Sequence, residues 1–221
     1  MHVMIINGSP RTQELSNTDK IISHLVKGMK TEDKDLTTEL YSISDRKQWD
    51  DAREAFKRNT EILIALPLYV ECIPGLFLEF LDTLEKKDGN TRLSFVLQSG
   101  FAEASQLRCG EEYLKKLAPM LGCTYGGTLV KGDNFSCRFM PPEQSEKPLS
   151  AYDDMGASYI RNKGFDSDEA RKFSGPEYFS APFRVFLSIM FATAARFGFK
   201  MIAKGLGCTR PINDRPLRSD I

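Results

Sequence analysis

The chain has 221 residues, 41% of them hydrophobic, and its 30 basic residues balance its 30 acidic ones. A chain of this size and apolar content can form one compact core with an appendage. Zero net charge argues against a nucleic-acid partner, which would need a basic surface. The first predicted strand begins at Val3, and no uncharged run reaches the roughly 18 residues that span a bilayer, so we expect a cytoplasmic protein without a transmembrane segment.

The chain opens with an apolar strand, Val3 to Ile6, which leads through a hydroxyl-rich loop into a helix predicted from Thr18 to Met29. The loop residues of interest are Ser9, Pro10, Arg11, Ser16 and Asn17. Backbone N–H groups at a helix N-terminus, together with side-chain hydroxyls, bind anions such as phosphate. The dinucleotide motif GxGxxG and the P-loop motif are absent. The segment therefore predicts a site for a single phosphate group, with a plain hydroxyl-rich turn as the alternative.

The following segments alternate between strand and helix patterns. Strands are predicted at about Thr37 to Ile43, Glu61 to Leu66, Leu93 to Gln98 and Thr124 to Val130, and helices at about Trp49 to Asn59, Leu76 to Glu85 and Ala102 to Leu121. The second strand alternates between polar and apolar residues, which is typical of an edge strand. Right-handed βαβ crossovers then predict an α/β fold with a doubly wound, parallel five-stranded sheet of order 2-1-3-4-5.

The third and fourth strands end in loops that combine small, aromatic and hydroxyl-bearing residues. These are Pro67, Leu68, Tyr69 and Val70 after the third strand, and Ser99, Gly100 and Phe101 after the fourth. In open α/β sheets, ligands bind outside the carboxyl ends of the strands. Leu68 and Tyr69 offer an apolar and aromatic surface to a flat ring. Together with the first loop, these segments predict one ligand site.

Three motifs occur in chain order within roughly residues 1 to 135. They are Gly8-Ser9-Pro10-Arg11 with Ser16-Asn17-Thr18, then Pro67-Leu68-Tyr69 with Ile73-Pro74-Gly75, then Ser99-Gly100-Phe101. In these motifs the sequence resembles the NAD(P)H-dependent FMN reductases, a branch of the flavodoxin-like flavoproteins. The resemblance implies that the first loop holds the FMN phosphate and that the other two flank the isoalloxazine ring.

The resemblance also implies an oxidoreductase that takes hydride from NADH or NADPH and reduces a small molecule, such as a quinone, a free flavin or a nitroaromatic compound. Because the flavin carries the chemistry, no catalytic side chain is required. Two alternatives remain open. One is an FMN-binding electron-transfer module reduced by a protein partner, and the other is a flavin-free binding or regulatory protein with the same fold.

The C-terminal part of the chain follows a different pattern. The polar segment Pro141 to Pro148 predicts a linker, so we expect a flavodoxin-like FMN-binding domain at 1–140 and a helical extension at 141–221. A helical pattern covers about Leu149 to Arg161, and Asp166 or Ser167 is expected to cap another short helix.

The segment from Phe183 to Lys204 carries many apolar side chains at helical spacing. Three interpretations remain open: a helix packed on the fold, an arm that forms a homodimer or covers the flavin, and a basic, apolar helix on a membrane surface. A homodimer is the oligomer we expect.

The five cysteines are Cys72, Cys109, Cys123, Cys137 and Cys208. Their wide spacing predicts free thiols in a reducing compartment and no iron–sulfur cluster. Cys72 lies in the loop beside the predicted ring site, where we expect a packing role over a redox one. With only two histidines, the sequence predicts no metal site.

Overall fold

The computed structural model describes residues 1–12, 16–138, 142–211 and 214, and the chain divides into two compact units, Met1–Tyr178 and Phe179–Ile221. Within these residues, the strands of the first unit are β1 (His2–Asn7), β2 (Thr37–Ser42), β3 (Glu61–Pro67), β4 (Arg92–Gln98) and β5 (Thr124–Lys131). Its α-helices are α1 (Asn17–Glu32), α2 (Trp49–Arg58), α3 (Gly75–Leu81), α4 (Ser105–Met120), α5 (Pro142–Asn162) and α6 (Asp168–Phe173). The second unit contains α7 (Ala181–Ala192) and α8 (Ala194–Gly205).

The strands form one parallel sheet in the order β2-β1-β3-β4-β5, which confirms the predicted topology. Ile5 in β1, for example, is paired with Leu40 in β2 and with Leu63 in β3. The strands β1, β3 and β4 are buried over nearly their whole length because helices cover both sides of the sheet. The strand β2 lies at an edge and stays partly exposed, as its alternating sequence predicts.

Each face of the sheet has its own apolar core. On one face, Phe56 of α2 and Phe77 of α3 pack with Leu114 of α4. On the other face, Leu25 of α1 packs with Tyr159 of α5. Burial of each large side chain contributes about 1.5–3 kcal/mol. Both cores therefore hold the sheet, and with it the strand ends that form the candidate site.

The helices α1 and α5 approach closely because a glycine lies on each side of their contact. A Cβ atom at Gly28 would overlap the carbonyl oxygen of Asp153, and a Cβ atom at Gly156 would overlap that of Leu25.

Beside this contact, Lys27 Nζ lies 2.7 Å from a carboxylate oxygen of Asp153. Burial alone would raise the pKa of Asp153, but its hydrogen-bonding partners, Lys27 among them, hold that pKa below its usual value.

The predicted domain boundary between residues 140 and 141 lies outside the described residues, and the chain on both sides of it belongs to the first unit. The segment 141–148, predicted as a linker, instead includes the first turns of α5. Pro142 begins the helix, where a missing N–H is tolerated, whereas Pro148 lies inside it. An interior proline costs about 3 kcal/mol. We attribute its tolerance to the burial of Leu149 and Tyr152 against the sheet and α1.

Other predicted boundaries shift by a few residues. The helix α3 ends at Leu81, before the predicted end at Glu85, because the chain continues in tighter turns in which Thr83 N–H donates to the Phe80 carbonyl. The helix α4 begins at Ser105 and not at Ala102. Ser167 is the N-cap of α6 and accepts a hydrogen bond from the Ala170 N–H at 3.2 Å, which confirms one of the two predicted caps.

The second unit is built from two helices of twelve residues each, α7 and α8. Neither contains a buried residue. Among the described residues no single helix is long and apolar enough to cross a membrane, although α7 and α8 taken together meet that length and composition with a bend of 47° between them.

Candidate functional site

A cavity of about 180 Å³ opens at the carboxyl ends of the parallel strands. Its lining comes from the loops after β1, β3, β4 and β5 and from the first residues of α1. The lining residues are Ser9, Arg11, Asn17, Thr18, Pro67, Leu68, Tyr69, Gln98, Ser99, Gly100, Asn134 and Phe135. Arg11 is the one charged residue among them. The cavity therefore suits a ligand that combines a negative charge with uncharged polar and flat apolar parts.

The loop after β1 delivers hydroxyl groups to the N-terminal end of α1. Ser9 N–H donates to Asn7 Oδ1 at 3.0 Å, and Ser9 Oγ accepts from the Arg11 N–H at 3.2 Å. Ser16 is the N-cap of α1, and its hydroxyl accepts from the Asp19 N–H. Because the positive end of the α1 dipole lies here, beside Ser9, Arg11 and Thr18, this end of the cavity favours an anion.

Asn134 connects the parts of the site through its backbone and its side chain. Its N–H donates to the Ser99 carbonyl at 3.0 Å, and its carbonyl accepts from Asn17 Nδ2 at 2.7 Å. Its side-chain Nδ2 donates to the carbonyls of Lys131 and Gly132, each at 3.1 Å. Its Oδ1 accepts from the hydroxyl of Tyr152 on α5 at 3.2 Å. Asn134 thus fixes the loop after β5 to α1, β4 and α5.

The side chain of Asn17 presents an acceptor without a partner. Its Nδ2 is used by the Asn134 carbonyl, which fixes the orientation of the amide, and its Oδ1 is buried with no hydrogen-bond partner in the described part of the protein. Leaving a buried polar atom unpaired costs about 1–3 kcal/mol. A ligand that donates a hydrogen bond here would remove that cost. Next to it, Gln98 Nε2 donates to Thr18 Oγ1 at 3.3 Å.

One wall of the cavity is apolar and aromatic. Leu68 is buried, whereas the rings of Tyr69 and Phe135 remain partly exposed. Arg11 Nε donates to Tyr69 Oη at 3.2 Å, and the Arg11 guanidinium carbon lies 6.0 Å from the centre of that ring. The wall is thus suited to a flat ring, and Arg11 links it to the end of the cavity that favours an anion.

Tyr69 belongs to a strained two-residue turn. The backbones of Tyr69 and Cys72 exchange two hydrogen bonds of 2.9 and 3.0 Å, and between them Val70 and Glu71 have φ angles of 48° and 66°. Such a turn is normally built from Asn and Gly, because positive φ is unfavourable for other residues. Strained backbone of this kind concentrates at functional sites.

Burial determines the protonation of two groups behind the cavity. Burial raises the pKa of Tyr152, so its hydroxyl remains a neutral donor to Asn134. Burial also lowers the pKa of Lys131, an effect that Asp133 partly offsets, and its Nζ donates to the Phe173 carbonyl at 3.0 Å. Neither residue lines the cavity, and none of its described lining residues is an Asp, Glu, His or Cys.

The structure brings most of the predicted site residues together around this one cavity. Those that line it are Ser9, Arg11, Asn17, Thr18, Pro67, Leu68, Tyr69, Ser99 and Gly100. Those that do not are Pro10, Ser16, Val70 and Phe101. Ser16 instead caps α1, and Val70 and Phe101 have exposed side chains. Which of these residues bind a ligand stays a prediction.

The sequence pattern did not predict three of the residues that line the cavity: Gln98, Asn134 and Phe135. Gln98 was assigned only as the last residue of a strand. Asn134 and Phe135 follow β5, and the rule that pointed to the loops after the other strands also applies there.

The described residues contain no group of three or more His, Cys, Asp or Glu placed to hold a metal ion, and all five cysteines are free.

Comparison with solved structures finds the same architecture in several reductases. An FMN-dependent NADH-azoreductase from Bacillus anthracis, solved with FMN, has 15% sequence identity and a TM-score of 0.54, and the match covers 72% of this chain and 99% of that one. The apo form of an NADH:FMN oxidoreductase, EMOB, has 14% identity and a TM-score of 0.54 over 79% of this chain and 96% of the other. The azoreductase AzrA has 12% identity and a TM-score of 0.53 over 72% of this chain and 99% of its own.

No protein-family model matches the chain, and the comparison with curated proteins finds no match. At the identities given above, the structural likeness establishes the fold. The chain has a flavodoxin-like fold, and it shares that fold with FMN-dependent and NADH-dependent reductases.

Proposed function

We propose that this protein is an oxidoreductase that binds FMN and passes electrons from NADH or NADPH to a small-molecule acceptor. The observation that carries the proposal is the cavity at the strand ends, with a cationic, hydroxyl-rich end at α1 and an aromatic wall after β3. The reductases with the same fold support it. The acceptor class we propose is a quinone, a free flavin or a nitroaromatic compound.

The residues around the cavity fit the parts of FMN. Ser9, Arg11 and Thr18, beside the N-terminal end of α1, suit the phosphate. Asn17 Oδ1, the buried acceptor without a partner, suits a ribityl hydroxyl, because a phosphate would bring only further acceptors. Leu68 and Tyr69 supply the surface for the ring.

FMN, when bound, supplies hydride acceptance from NAD(P)H and electron delivery to the acceptor. The protein's residues hold and orient the ring, and the backbone N–H of Gly100 can stabilise the negative charge of its reduced form. Tyr69 acts as a positioning residue through its ring.

Titration of FMN into the apo protein tests the binding site. Losing one hydrogen bond to a charged group costs about 1.5–3 kcal/mol, so Ser9→Ala and Thr18→Val should each weaken FMN binding about 10- to 100-fold. Ser23→Ala serves as the matched control, because Ser23 is an exposed serine of α1 whose hydroxyl donates to the Asp19 carbonyl. If all three variants bind FMN like the parent, the assignment of the phosphate is wrong.

Turnover distinguishes a reductase from an electron-transfer module. Rapid bleaching of the bound flavin by NADH or NADPH alone supports the reductase, whereas bleaching only with a reduced protein partner supports the module. Because donor and acceptor would use one cavity in turn, initial rates at varied NAD(P)H and quinone should give parallel double-reciprocal lines. Intersecting lines would show that both substrates bind together.

Two expectations from the sequence belong to the same proposal: a cytoplasmic location and a homodimer. The free state of all five cysteines is compatible with a reducing compartment. Fractionation of the native cells and light scattering of the purified protein test the two expectations separately.

A further inference from the structure

The helix α7 has an apolar surface that the described residues of its own unit leave exposed. Arg184 is the only charged residue among its twelve, and no side chain of the helix is buried. Phe186 and Ile189 expose 58% and 62% of their surface. A helix that is apolar on nearly every side is normally buried in a core or in lipid. This surface therefore favours an apolar environment beyond the described residues of its own unit.

The helix α8 adds a row of positive charge to an equally exposed apolar surface. Arg196, Lys200 and Lys204 are spaced by four residues and so share one side of the helix. Phe197 and Met201 project from other positions and expose 70% and 56% of their surface. The combination of a basic side with exposed aromatic and apolar residues is typical of helices that lie in a lipid–water interface.

The two units of the chain carry net charges of opposite sign. The segment Phe179–Ile221 contains seven basic and two acidic residues, whereas the rest of the chain contains 23 basic and 28 acidic residues. Between Phe179 and Pro211 there is no acidic residue at all. The zero net charge of the whole chain is therefore the sum of an acidic first unit and a cationic, apolar second unit.

We propose that α7 and α8 bind the surface of an anionic lipid bilayer. Apolar side chains would enter the boundary between headgroups and acyl chains, and the basic side of α8 would face the lipid phosphates. The charge complementarity selects this occupant over a second copy of the chain. A two-fold interface between these helices would bring two sets of cations together, and neither helix contains an acidic residue to neutralise them.

The geometry favours lying on the bilayer over crossing it. At 1.5 Å per residue the twelve residues of α7 extend about 18 Å, less than the roughly 30 Å of the hydrocarbon core. The two helices are bent by 47° relative to each other, and α8 carries three cations. An interfacial position accommodates both the bend and the charges.

Flotation of the purified full-length protein with lipid vesicles tests the proposal. We expect binding to vesicles of phosphatidylcholine and phosphatidylglycerol at a ratio of about 7:3, and much weaker binding to phosphatidylcholine alone, because each basic residue near an anionic surface strengthens binding about fivefold. Binding should weaken in high salt. Failure to bind the anionic vesicles, or equal binding to both kinds, would overturn the proposal.

Neutral variants test the role of the charges. The triple variant Arg196→Gln, Lys200→Gln, Lys204→Gln should bind anionic vesicles about 100-fold more weakly than the parent. The matched control replaces three exposed lysines of the first unit, Lys47, Lys115 and Lys116, by Gln and should bind like the parent. Equal losses in the two triple variants would show that only total charge matters and would contradict a dedicated surface.

A tryptophan reporter tests the insertion of α7. The chain has one tryptophan, Trp49, which is buried in the first unit and should not be quenched by brominated phosphatidylcholine in the anionic vesicles. The variant Phe186→Trp should be quenched in the same vesicles. If it is not quenched, α7 does not enter the bilayer and the proposal is wrong. The proposal is also wrong if the protein does not bind vesicles and light scattering finds a lipid-free dimer that a chain ending at Tyr178 does not form, because a second copy then covers this surface.

Discussion

At the scale of single residues, Asn134 joins several elements around the cavity through its hydrogen bonds. Its side chain makes three hydrogen bonds, to Lys131, Gly132 and Tyr152, and it is buried. Since each buried hydrogen bond contributes about 0.5–1.5 kcal/mol, Asn134→Ala should lower the free energy of unfolding by about 3 kcal/mol in urea denaturation. Tyr152→Phe removes only one of these bonds and should cost about 1 kcal/mol. Equal losses in the two variants would show that the amide does not organise the loop.

The sequence could not identify Asn134 because its importance depends on contacts distant in the chain. The local pattern of a strand, a hydroxyl-rich loop and a helix predicts Ser9 and Thr18 as site residues. Asn134 lies in an irregular loop, and its partners Asn17 and Tyr152 come from α1 and α5. Local patterns predict where a site lies more readily than which residue holds its parts together.

At the scale of elements, the contact between α1 and α5 depends on two glycines. A methyl group at Gly28 or at Gly156 would overlap backbone atoms of the opposite helix, which cannot move like a flexible side chain. Overpacking in a core costs about 1–3 kcal/mol, and occasionally more. Because the overlap here is with rigid backbone, Gly28→Ala and Gly156→Ala should each lower the free energy of unfolding by about 3 kcal/mol or more in thermal or urea unfolding. Gly198→Ala is the control, because a Cβ atom there meets nothing within 4 Å and Ala favours helix. A tolerated Gly156→Ala would contradict the close packing.

The same contact explains why residues 142–148 form a helix although their sequence predicts a linker. Pro142 and Pro148 made residues 141–148 resemble a linker, yet α5 contributes Leu149, Tyr152 and Tyr159 to the core under α1. Local propensity disfavoured a helix there, and tertiary packing outweighed it. The strands were predicted to within about two residues because their apolar runs and the parallel order follow from local patterns and from chirality.

The turn after β3 is strained in a way that substitutions can relieve. A left-handed backbone costs about 1–2 kcal/mol for an ordinary residue, and both Val70 and Glu71 adopt it. The double variant Val70→Asn, Glu71→Gly should therefore raise the free energy of unfolding by about 2 kcal/mol. Val70→Thr, which keeps a β-branched side chain, should leave it nearly unchanged. A double variant that is less stable than the parent would show that the turn is not strained.

At the scale of the whole molecule, the topology explains how a short pattern in the sequence predicts a site. The order of the strands places the ends of β1, β3, β4 and β5 side by side, so four loops far apart in the chain line one cavity. The sequence identified three of them. The role of the second unit could not be derived from its pattern, because an apolar helix has the same sequence pattern whether protein or lipid covers it.

The division of the chain predicts which part is sufficient for redox chemistry. Both cores and the cavity lie within Met1–Tyr178, so a chain ending at Tyr178 should fold, bind FMN and oxidise NAD(P)H like the parent while losing its binding to anionic vesicles. A chain ending at Pro148 is the contrasting control. It removes the buried Tyr152, Tyr159 and Phe165, each contributing about 1.5–3 kcal/mol, out of a total stability of about 5–15 kcal/mol for a typical domain, and it should aggregate. Light scattering, FMN titration and NAD(P)H oxidation measure these outcomes. A soluble chain ending at Tyr178 that no longer binds FMN would show that the second unit takes part in the redox site.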